Sequence, residues 1–238
     1  MATYLVCHGA WSAGWAWKKM RPLFAAAGHT FFSPTYTGLG ERAHLAHRDI
    51  DLSTHVRDVL NVLEFEDLKD VVLLGHSYGG MVATGVADKA RSRVQCVIYL
   101  DAFAPRDGQS LFSLQDPRAE ARMRAGADKE GDGWKLPLNP MPPDTSPEDQ
   151  AWAVPRRRPQ PIKTFEEKIR LDSREPPPPR HYIYATKNRP GDVFRQFGER
   201  ARREPGWKYH EIDASHNPHI TCPDVLMKLL TEIMADEK

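Results

Sequence analysis

Cysteine and long apolar runs are both scarce in this 238-residue chain. The three cysteines, Cys7, Cys96 and Cys222, are an odd number at wide spacings, which fits neither a disulfide framework nor a metal clamp. The mean hydropathy is −0.58, and no apolar run reaches the roughly 18 residues that a membrane span needs. The first residues lack the basic start and longer apolar stretch of a secretory signal. These absences predict a reduced, cytoplasmic protein that does not enter a membrane.

An excess of charge of either sign is also absent. Lys and Arg together number 33, Asp and Glu together 32, and the formal charge is +1. This balance gives no long-range attraction to nucleic acid or anionic lipid, so we expect neither as a partner. His44 and His47 lie near Asp49 and Asp51, but their spacing fits no common set of metal ligands, and we expect no metal. The oligomeric state stays open.

Short apolar segments and helical patterns alternate along most of the chain. The segments that are apolar at nearly every position indicate strands buried on both faces: residues 4–7, 71–74, 97–100 and 182–185. The clearest helical pattern places Val56, Val59 and Leu63 on one face, with Ser53 or Thr54 as its N-cap. Further helical patterns cover residues 79–91, 193–203 and 224–234. The alternation predicts an α/β fold, a mostly parallel sheet with helices on both faces.

The alternation stops between residues 105 and 180. This segment holds 14 of the 20 prolines and a highly charged stretch, so we expect no strand of the main sheet in it. It also has more large apolar side chains than a solvated tract would have: Leu111, Phe112, Leu114, Trp134, Leu136, Met141, Trp152, Ile162 and Phe165. We therefore predict an α/β core formed by residues 1–104 and 181–238. An irregular but folded cap at 105–180 is expected to lie over the edge of the sheet.

One motif joins an apolar run to a helical pattern, namely Gly75-His76-Ser77-Tyr78-Gly79-Gly80. In this context G-x-S-x-G is typical of a nucleophile elbow, a strained turn that exposes a serine above the sheet. The residues two positions before and after that serine must be small, and Gly75 and Gly79 meet this demand. We predict that Ser77 is a nucleophile and that the backbone N–H of Tyr78 stabilises an oxyanion.

A serine hydroxyl becomes a good nucleophile when an imidazole, itself held by a carboxylate, takes its proton. His216 follows an apolar and aromatic stretch and precedes the last helical pattern, so it is the predicted base; His219 is the second imidazole of that loop. Asp101 directly follows a buried strand and is favoured as the acid. Asp192 follows the next strand after a longer loop, and it either takes that role or caps the helix at 193–203.

The loop after the first strand is expected to supply the second oxyanion donor, the backbone N–H of Ala10. His8 is expected to hold this loop by hydrogen bonds. Trp11 and Phe103 are predicted substrate contacts, and together with Leu111, Phe112 and Trp152 they favour an apolar or aromatic substrate.

Two further patterns are weaker. Residues 38–43 match the letters of a dinucleotide-binding loop, but Pro34 interrupts the preceding strand and no helical pattern opens at Gly40, so we expect no cofactor. Residues 156–158 are three consecutive arginines. Such a run is typical of a solvated face, although it would attract an anionic group of a substrate.

These motifs give the chain a resemblance to the α/β-hydrolase superfamily, and within it to the small-esterase branch of plant methylesterases and hydroxynitrile lyases. The resemblance covers essentially the whole chain and is carried by residues 8–11, 34–42, 75–80 and 215–218. It implies that Ser77 is the nucleophile, that His216 is the base, and that the N–H groups of Ala10 and Tyr78 form the oxyanion hole.

Two positions depart from the pattern that this resemblance implies. Plant members carry their acid after the strand at 182–185, where this chain has Asn188, and this again favours Asp101. Hydroxynitrile lyases have a lysine directly after the catalytic histidine, where this chain has Asn217. We therefore predict a cofactor-free serine carboxylesterase that cleaves small to medium apolar or aromatic esters through an acyl-enzyme. The alternatives are a cofactor-free lyase of the hydroxynitrile-lyase type and a non-catalytic ligand-binding module on the same fold.

Overall fold

The computed structural model of the protein describes residues 1–188 and 192–237. Within these ranges the main sheet has six strands, each parallel to its neighbours, in the spatial order β2-β1-β3-β4-β7-β8. The strands are β1 (Thr3–Cys7), β2 (Thr30–Phe32), β3 (Val71–His76), β4 (Val94–Leu100), β7 (Arg180–Ala185) and β8 (Trp207–Ile212). All four predicted apolar segments are strands, each between one and three residues longer than its apolar run.

Helices cover both faces of this sheet. They are α1 (Met20–Ala26), α2 (Leu52–Phe65), α3 (Gly79–Lys89), α7 (Arg195–Arg203), α8 (Pro218–Thr221) and α9 (Pro223–Ala235). Successive strand residues point to opposite faces. Leu5 and Leu73 accordingly join the buried cluster that contains α2, α3 and α7, while Val6 and Leu74 join the cluster of α1 and α9. The predicted parallel sheet between two helical layers is confirmed.

The segment between β4 and β7 is more regular than its proline content suggests. It contains α4 (Pro117–Glu130), α5 (Pro147–Ala153), α6 (Lys163–Glu166) and a two-stranded antiparallel sheet of β5 (Lys135–Leu136) and β6 (Gln160–Pro161). The expectation of an irregular chain is wrong for α4, which begins at Pro117 in the first turn with Asp116 accepting a hydrogen bond from the N–H of Arg118. Leu111, Phe112 and Phe165 are buried, as their apolar character predicted. We call residues 105–180 the cap segment.

Two local predictions are wrong. Helix α2 is capped by Asp51, whose carboxylate accepts hydrogen bonds from the N–H and the hydroxyl of Thr54. Neither Ser53 nor Thr54 is the cap, because both lie inside the helix. A short 3₁₀-helix opens at Gly40 and runs to Leu45, where no helical pattern was expected. In the described ranges no helix combines the length and the apolar character that a membrane crossing requires.

Candidate active site

Ser77 lies in the turn between β3 and α3, and its backbone is left-handed with a φ of 56°. Non-glycine residues adopt this conformation rarely, and it is typical of a nucleophile elbow. The turn also has no room for side chains at its two glycines. A Cβ at Gly79 would lie 1.9 Å from the carbonyl oxygen of Cys7, and one at Gly75 would lie 3.0 Å from the carbonyl oxygen of Gly79. The close approach of α3 to β1 therefore requires glycine at position 79.

His216 lies on the loop between β8 and α8, and its Nδ1–H donates a hydrogen bond of 2.7 Å to Oδ2 of Asp101. Asp101 follows β4 directly, is fully buried, and has a positive φ of 43°. The carboxyl ends of β4 and β8 thus bring together two residues that are 115 positions apart in the chain. Hydrogen bonding of Nδ1 to a carboxylate fixes the ring and leaves Nε2 as the acceptor.

Three further hydrogen bonds fix the Asp101 carboxylate. The side-chain amide of Asn188 donates to Oδ1 at 3.0 Å and to Oδ2 at 2.8 Å. The backbone N–H of Ala185 donates to Oδ1 at 3.3 Å. A buried carboxylate needs such partners because burial without them is costly. Asn188, which the sequence marked as a departure, thus contacts the carboxylate that contacts His216.

Asp192 has different partners. Its Oδ1 accepts hydrogen bonds from the N–H groups of Phe194 and Arg195, and its Oδ2 accepts one from the hydroxyl of Tyr184. It therefore binds the backbone of the turn that leads into α7, which is close to the alternative role for this residue, although the N-cap position itself is Phe194.

Several contacts hold the His216 loop in place. The Nε2–H of buried His76 donates to the backbone carbonyl of His216 at 2.7 Å, and the ring of Phe194 stacks on the His216 ring with a centroid separation of 4.7 Å. Asp144 of the cap segment accepts hydrogen bonds from the N–H and the hydroxyl of Ser215. The cap segment thus fixes the residue immediately before His216.

The other imidazoles around the site are buried, and burial disfavours their charged form. It lowers the pKa of His8 to about 3 and that of His219 to about 3. It also lowers the pKa of His76 well below the ordinary value of 6.5. His8 accepts from the N–H of Tyr36 and donates to the carbonyl of Gly9, so it holds the loop as its sequence position predicted. The His216 side chain, by contrast, is 24% exposed.

The backbone N–H groups of Ala10 and Tyr78 have no protein acceptor among residues 1–188 and 192–237. In the described chain, the Ser77 hydroxyl and Nε2 of His216 form no hydrogen bond with each other, although both residues line one cavity. Contacts between a nucleophile and its base are often long in unliganded enzymes and shorten when a substrate binds.

Trp11 follows Ala10 and joins the loop after β1 to the cap segment. Its φ of 57° is left-handed, which is strained for a bulky residue. Its backbone N–H donates to Oε1 of fully buried Gln160 at 3.1 Å, and its indole N–H donates to the carbonyl of Leu136 at 3.1 Å. Its carbonyl accepts from the N–H of Arg158 at 3.3 Å. Strands β5 and β6 therefore hold the backbone next to the Ala10 N–H.

Replacing Gln160 by methionine tests this connection. The change removes the acceptor of a buried N–H, which is expected to cost about 1–3 kcal/mol of unfolding free energy. Because the Ala10 loop loses its support, we expect kcat to fall by about 10-fold, less than the 10²-fold to 10³-fold that removal of an oxyanion donor itself causes. Urea unfolding and steady-state kinetics measure the two effects. The exposed Gln150→Met is the control, and a Gln160→Met enzyme with the parent kcat would contradict the positioning role.

The cavity that Ser77 and His216 line has a volume of about 290 Å³, just below the range of roughly 300–1,000 Å³ that is typical of ligand sites. Trp11 lines it, and its contact with a substrate stays a prediction. Phe103 does not line it: this residue is 5% exposed and packs against Phe194 and Phe197, so its prediction as a substrate contact is wrong. Leu111 and Phe112 are likewise buried in the core.

The sequence did not predict the part of the cavity wall that the cap segment contributes. Residues 139–143 and Arg157 of the cap segment line it, as do Lys187 and Ile220 of the core. The apolar side chain of Met141 and the run of arginines were the signals in this part of the chain, and nothing distinguished Arg157 from its neighbours. The described residues contain no cluster of three or more His, Cys, Asp or Glu side chains that could hold a metal ion.

Comparisons with known proteins agree with this architecture. The model of the alpha/beta hydrolase family matches residues 4–229. The chain is 35% identical to a carbendazim hydrolyzing esterase of Nocardioides sp. (strain SG-4G) over 242 residues, which covers 98% of this chain and 100% of that protein. It is 25% identical to a pheophorbidase of Raphanus sativus over 95% of this chain and 92% of that one. The solved structure of an extracellular alpha/beta-hydrolase from a Paenibacillus species has a TM-score of 0.85 at 24% identity and covers 98% of both chains.

Proposed function

The chain belongs to the alpha/beta hydrolase family, and we propose that it is a serine carboxylesterase that works through an acyl-enzyme. The observation that carries the proposal is the 2.7 Å hydrogen bond from His216 to buried Asp101, at the cavity that Ser77 also lines. The site has the parts that acyl transfer requires: a serine on a left-handed turn, an imidazole oriented by a carboxylate, and two backbone N–H groups with no acceptor in the described part of the chain.

Each residue has a defined part in the proposed reaction. The Ser77 oxygen attacks the ester carbonyl carbon while Nε2 of His216 takes the hydroxyl proton, and Asp101 stabilises the imidazolium that forms. The N–H groups of Ala10 and Tyr78 donate to the oxyanion of the tetrahedral intermediate. His216 then gives its proton to the leaving alkoxide as the carbon–oxygen bond breaks. A water molecule repeats these steps on the acyl-enzyme and releases the carboxylic acid and free Ser77.

The substrate class follows from the cavity and from the relatives. The cavity of about 290 Å³ has Trp11, Trp15 and Met141 in its wall, and it suits small to medium esters with apolar or aromatic groups. The Nocardioides relative, whose name describes an esterase, aligns with 98% of this chain. The cysteines Cys7, Cys96 and Cys222 are all free, and we keep a cytoplasmic location as part of the proposal.

Partitioning of the acyl group tests the acyl-enzyme. Butanoate esters of several alcohols and phenols are hydrolysed in the presence of methanol, and the ratio of methyl butanoate to butanoic acid is measured by gas chromatography. Since all these substrates would give the same butanoyl-enzyme, we expect one ratio for every leaving group. A ratio that changes with the leaving group, or the absence of turnover on every ester, would contradict the proposal.

A further inference from the structure

The wall of the catalytic cavity has an unbalanced charge. Two basic side chains, Arg157 and Lys187, line it, whereas no Asp or Glu of the described chain does. Lys187 forms an ion pair of 3.0 Å with Asp213, and both side chains are mostly exposed. Its charge is therefore largely screened. Arg157 is the other cation in the cavity wall.

Arg157 is half-buried, and its contacts are neutral. Its NH1 group donates to the backbone carbonyl of Asn139 at 2.6 Å, and its NH2 group donates to the side-chain oxygen of the same residue. Within the described ranges no carboxylate forms an ion pair with it. Burial lowers the pKa of Arg157 below its ordinary value, yet a guanidinium stays protonated in proteins. The cavity wall therefore contains a partly desolvated positive charge.

The neighbouring arginines have other positions. Arg156 donates to the carbonyl of Trp152 and lies over the Trp152 ring. Arg158 is exposed and donates to the carbonyls of Pro155 and Arg157. Neither lines the cavity. Of the three consecutive arginines, only Arg157 faces the space in which a substrate of Ser77 would lie.

The acidic groups near the cavity are already engaged. Asp101 accepts hydrogen bonds from His216, Asn188 and Ala185 behind the cavity wall. Asp144 accepts both hydrogen bonds of Ser215. An anion from outside would therefore be the counter-ion of the Arg157 guanidinium, which presents several N–H donors in one plane.

We propose that Arg157 binds a carboxylate of the substrate, so that the preferred esters carry a free carboxylate in addition to the scissile bond. This assignment rests on the proposed serine esterase function and narrows its substrate class. The Asn139 contacts hold the guanidinium in position, and its remaining N–H donors are available for the substrate. The carboxylate belongs to the acyl part or to the leaving group, and both arrangements share the same recognition.

Matched pairs of substrates test the assignment. The acyl arm compares mono-4-nitrophenyl glutarate with 4-nitrophenyl pentanoate, and the leaving-group arm compares 4-acetoxybenzoate with 4-acetoxybenzamide. In each arm the ratio of kcat/KM for the anionic ester to that for its neutral partner is measured, with the Ser77→Ala rate subtracted as background. We expect the ratio in at least one arm to fall about 10-fold to 100-fold in Arg157→Gln, the size of a lost charge-assisted hydrogen bond.

The controls separate charge from position. Arg158→Gln removes the same charge one residue away, outside the cavity, and should change the ratio less than about 3-fold because an exposed charge is screened. Arg157→Lys keeps the charge and should retain part of the preference. The neutral ester reports on folding and basal activity in every variant.

Hydrolysis that depends on Ser77 but shows unchanged ratios in both arms of Arg157→Gln would overturn this assignment alone. Absence of Ser77-dependent hydrolysis of all four esters would instead overturn the proposed function.

Discussion

Replacing Ser77 by alanine is expected to lower kcat for ester hydrolysis by about 10⁶-fold, the loss seen when a serine hydrolase loses its nucleophile. The reason is chemical, because the hydroxyl oxygen forms the acyl-enzyme and no other group at the turn replaces it. Steady-state kinetics with 4-nitrophenyl butanoate measure the loss. Thermal unfolding should be nearly unchanged, because the alanine keeps the Cβ and the left-handed backbone of this position.

The matched control is Ser92→Ala. Ser92 is exposed in the short turn between α3 and β4, so its loss should leave both activity and stability unchanged. A Ser77→Ala enzyme that hydrolyses the ester at a rate close to that of the parent would show that Ser77 is not the nucleophile.

Replacing Asp101 by asparagine is expected to lower kcat by about 10⁴-fold, the effect of converting the acid of a Ser-His-Asp triad to its amide. An amide at this position cannot stabilise the imidazolium of His216 by charge. It also meets the donating amide of Asn188, which contacts both carboxylate oxygens in the parent. Both the value of kcat and its pH dependence are measured. A changed pH dependence would show that the imidazole of His216 is affected.

Asp192→Asn is the matched control, since each of the two aspartates follows the carboxyl end of a strand in the same sheet. Asp192 binds the backbone of the turn that leads into α7 and has no hydrogen bond to His216. Because the side-chain oxygen of asparagine also accepts hydrogen bonds, we expect this variant to keep nearly full activity. Loss of activity in Asp192→Asn together with an active Asp101→Asn enzyme would reverse the assignment of the acid.

Local sequence signals predicted the elements that position the site. The G-x-S-x-G motif between an apolar run and a helical pattern predicted the turn at Ser77, because both flanking elements are encoded within a few residues of it. The contact between His216 and Asp101 was predicted for a related reason. Each follows a recognisable strand, and the carboxyl ends of parallel strands meet at one edge of a sheet.

The cap segment was predicted less well, because its contacts depend on residues far apart in the chain. The hydrogen bond between Trp11 and Gln160 joins positions 149 residues apart and has no local pattern. Phe103 was expected to contact the substrate, but its ring packs against the rings of Phe194 and Phe197. The role of Asn188 was hidden for the same reason. The amide at position 188 indicated that the acid lies elsewhere in the chain, but not that the Asn188 side chain contacts Asp101.

In the proposed reaction His216 activates the Ser77 hydroxyl. This activation is measured most directly by the reaction of the protein with a fluorophosphonate, followed by mass spectrometry of the intact protein and its peptides. We predict one phosphonyl group per chain, located on Ser77, and labelling that becomes much slower when His216 is replaced by alanine. Labelling at another residue, or an unchanged rate of Ser77 labelling in His216→Ala, would contradict the claim.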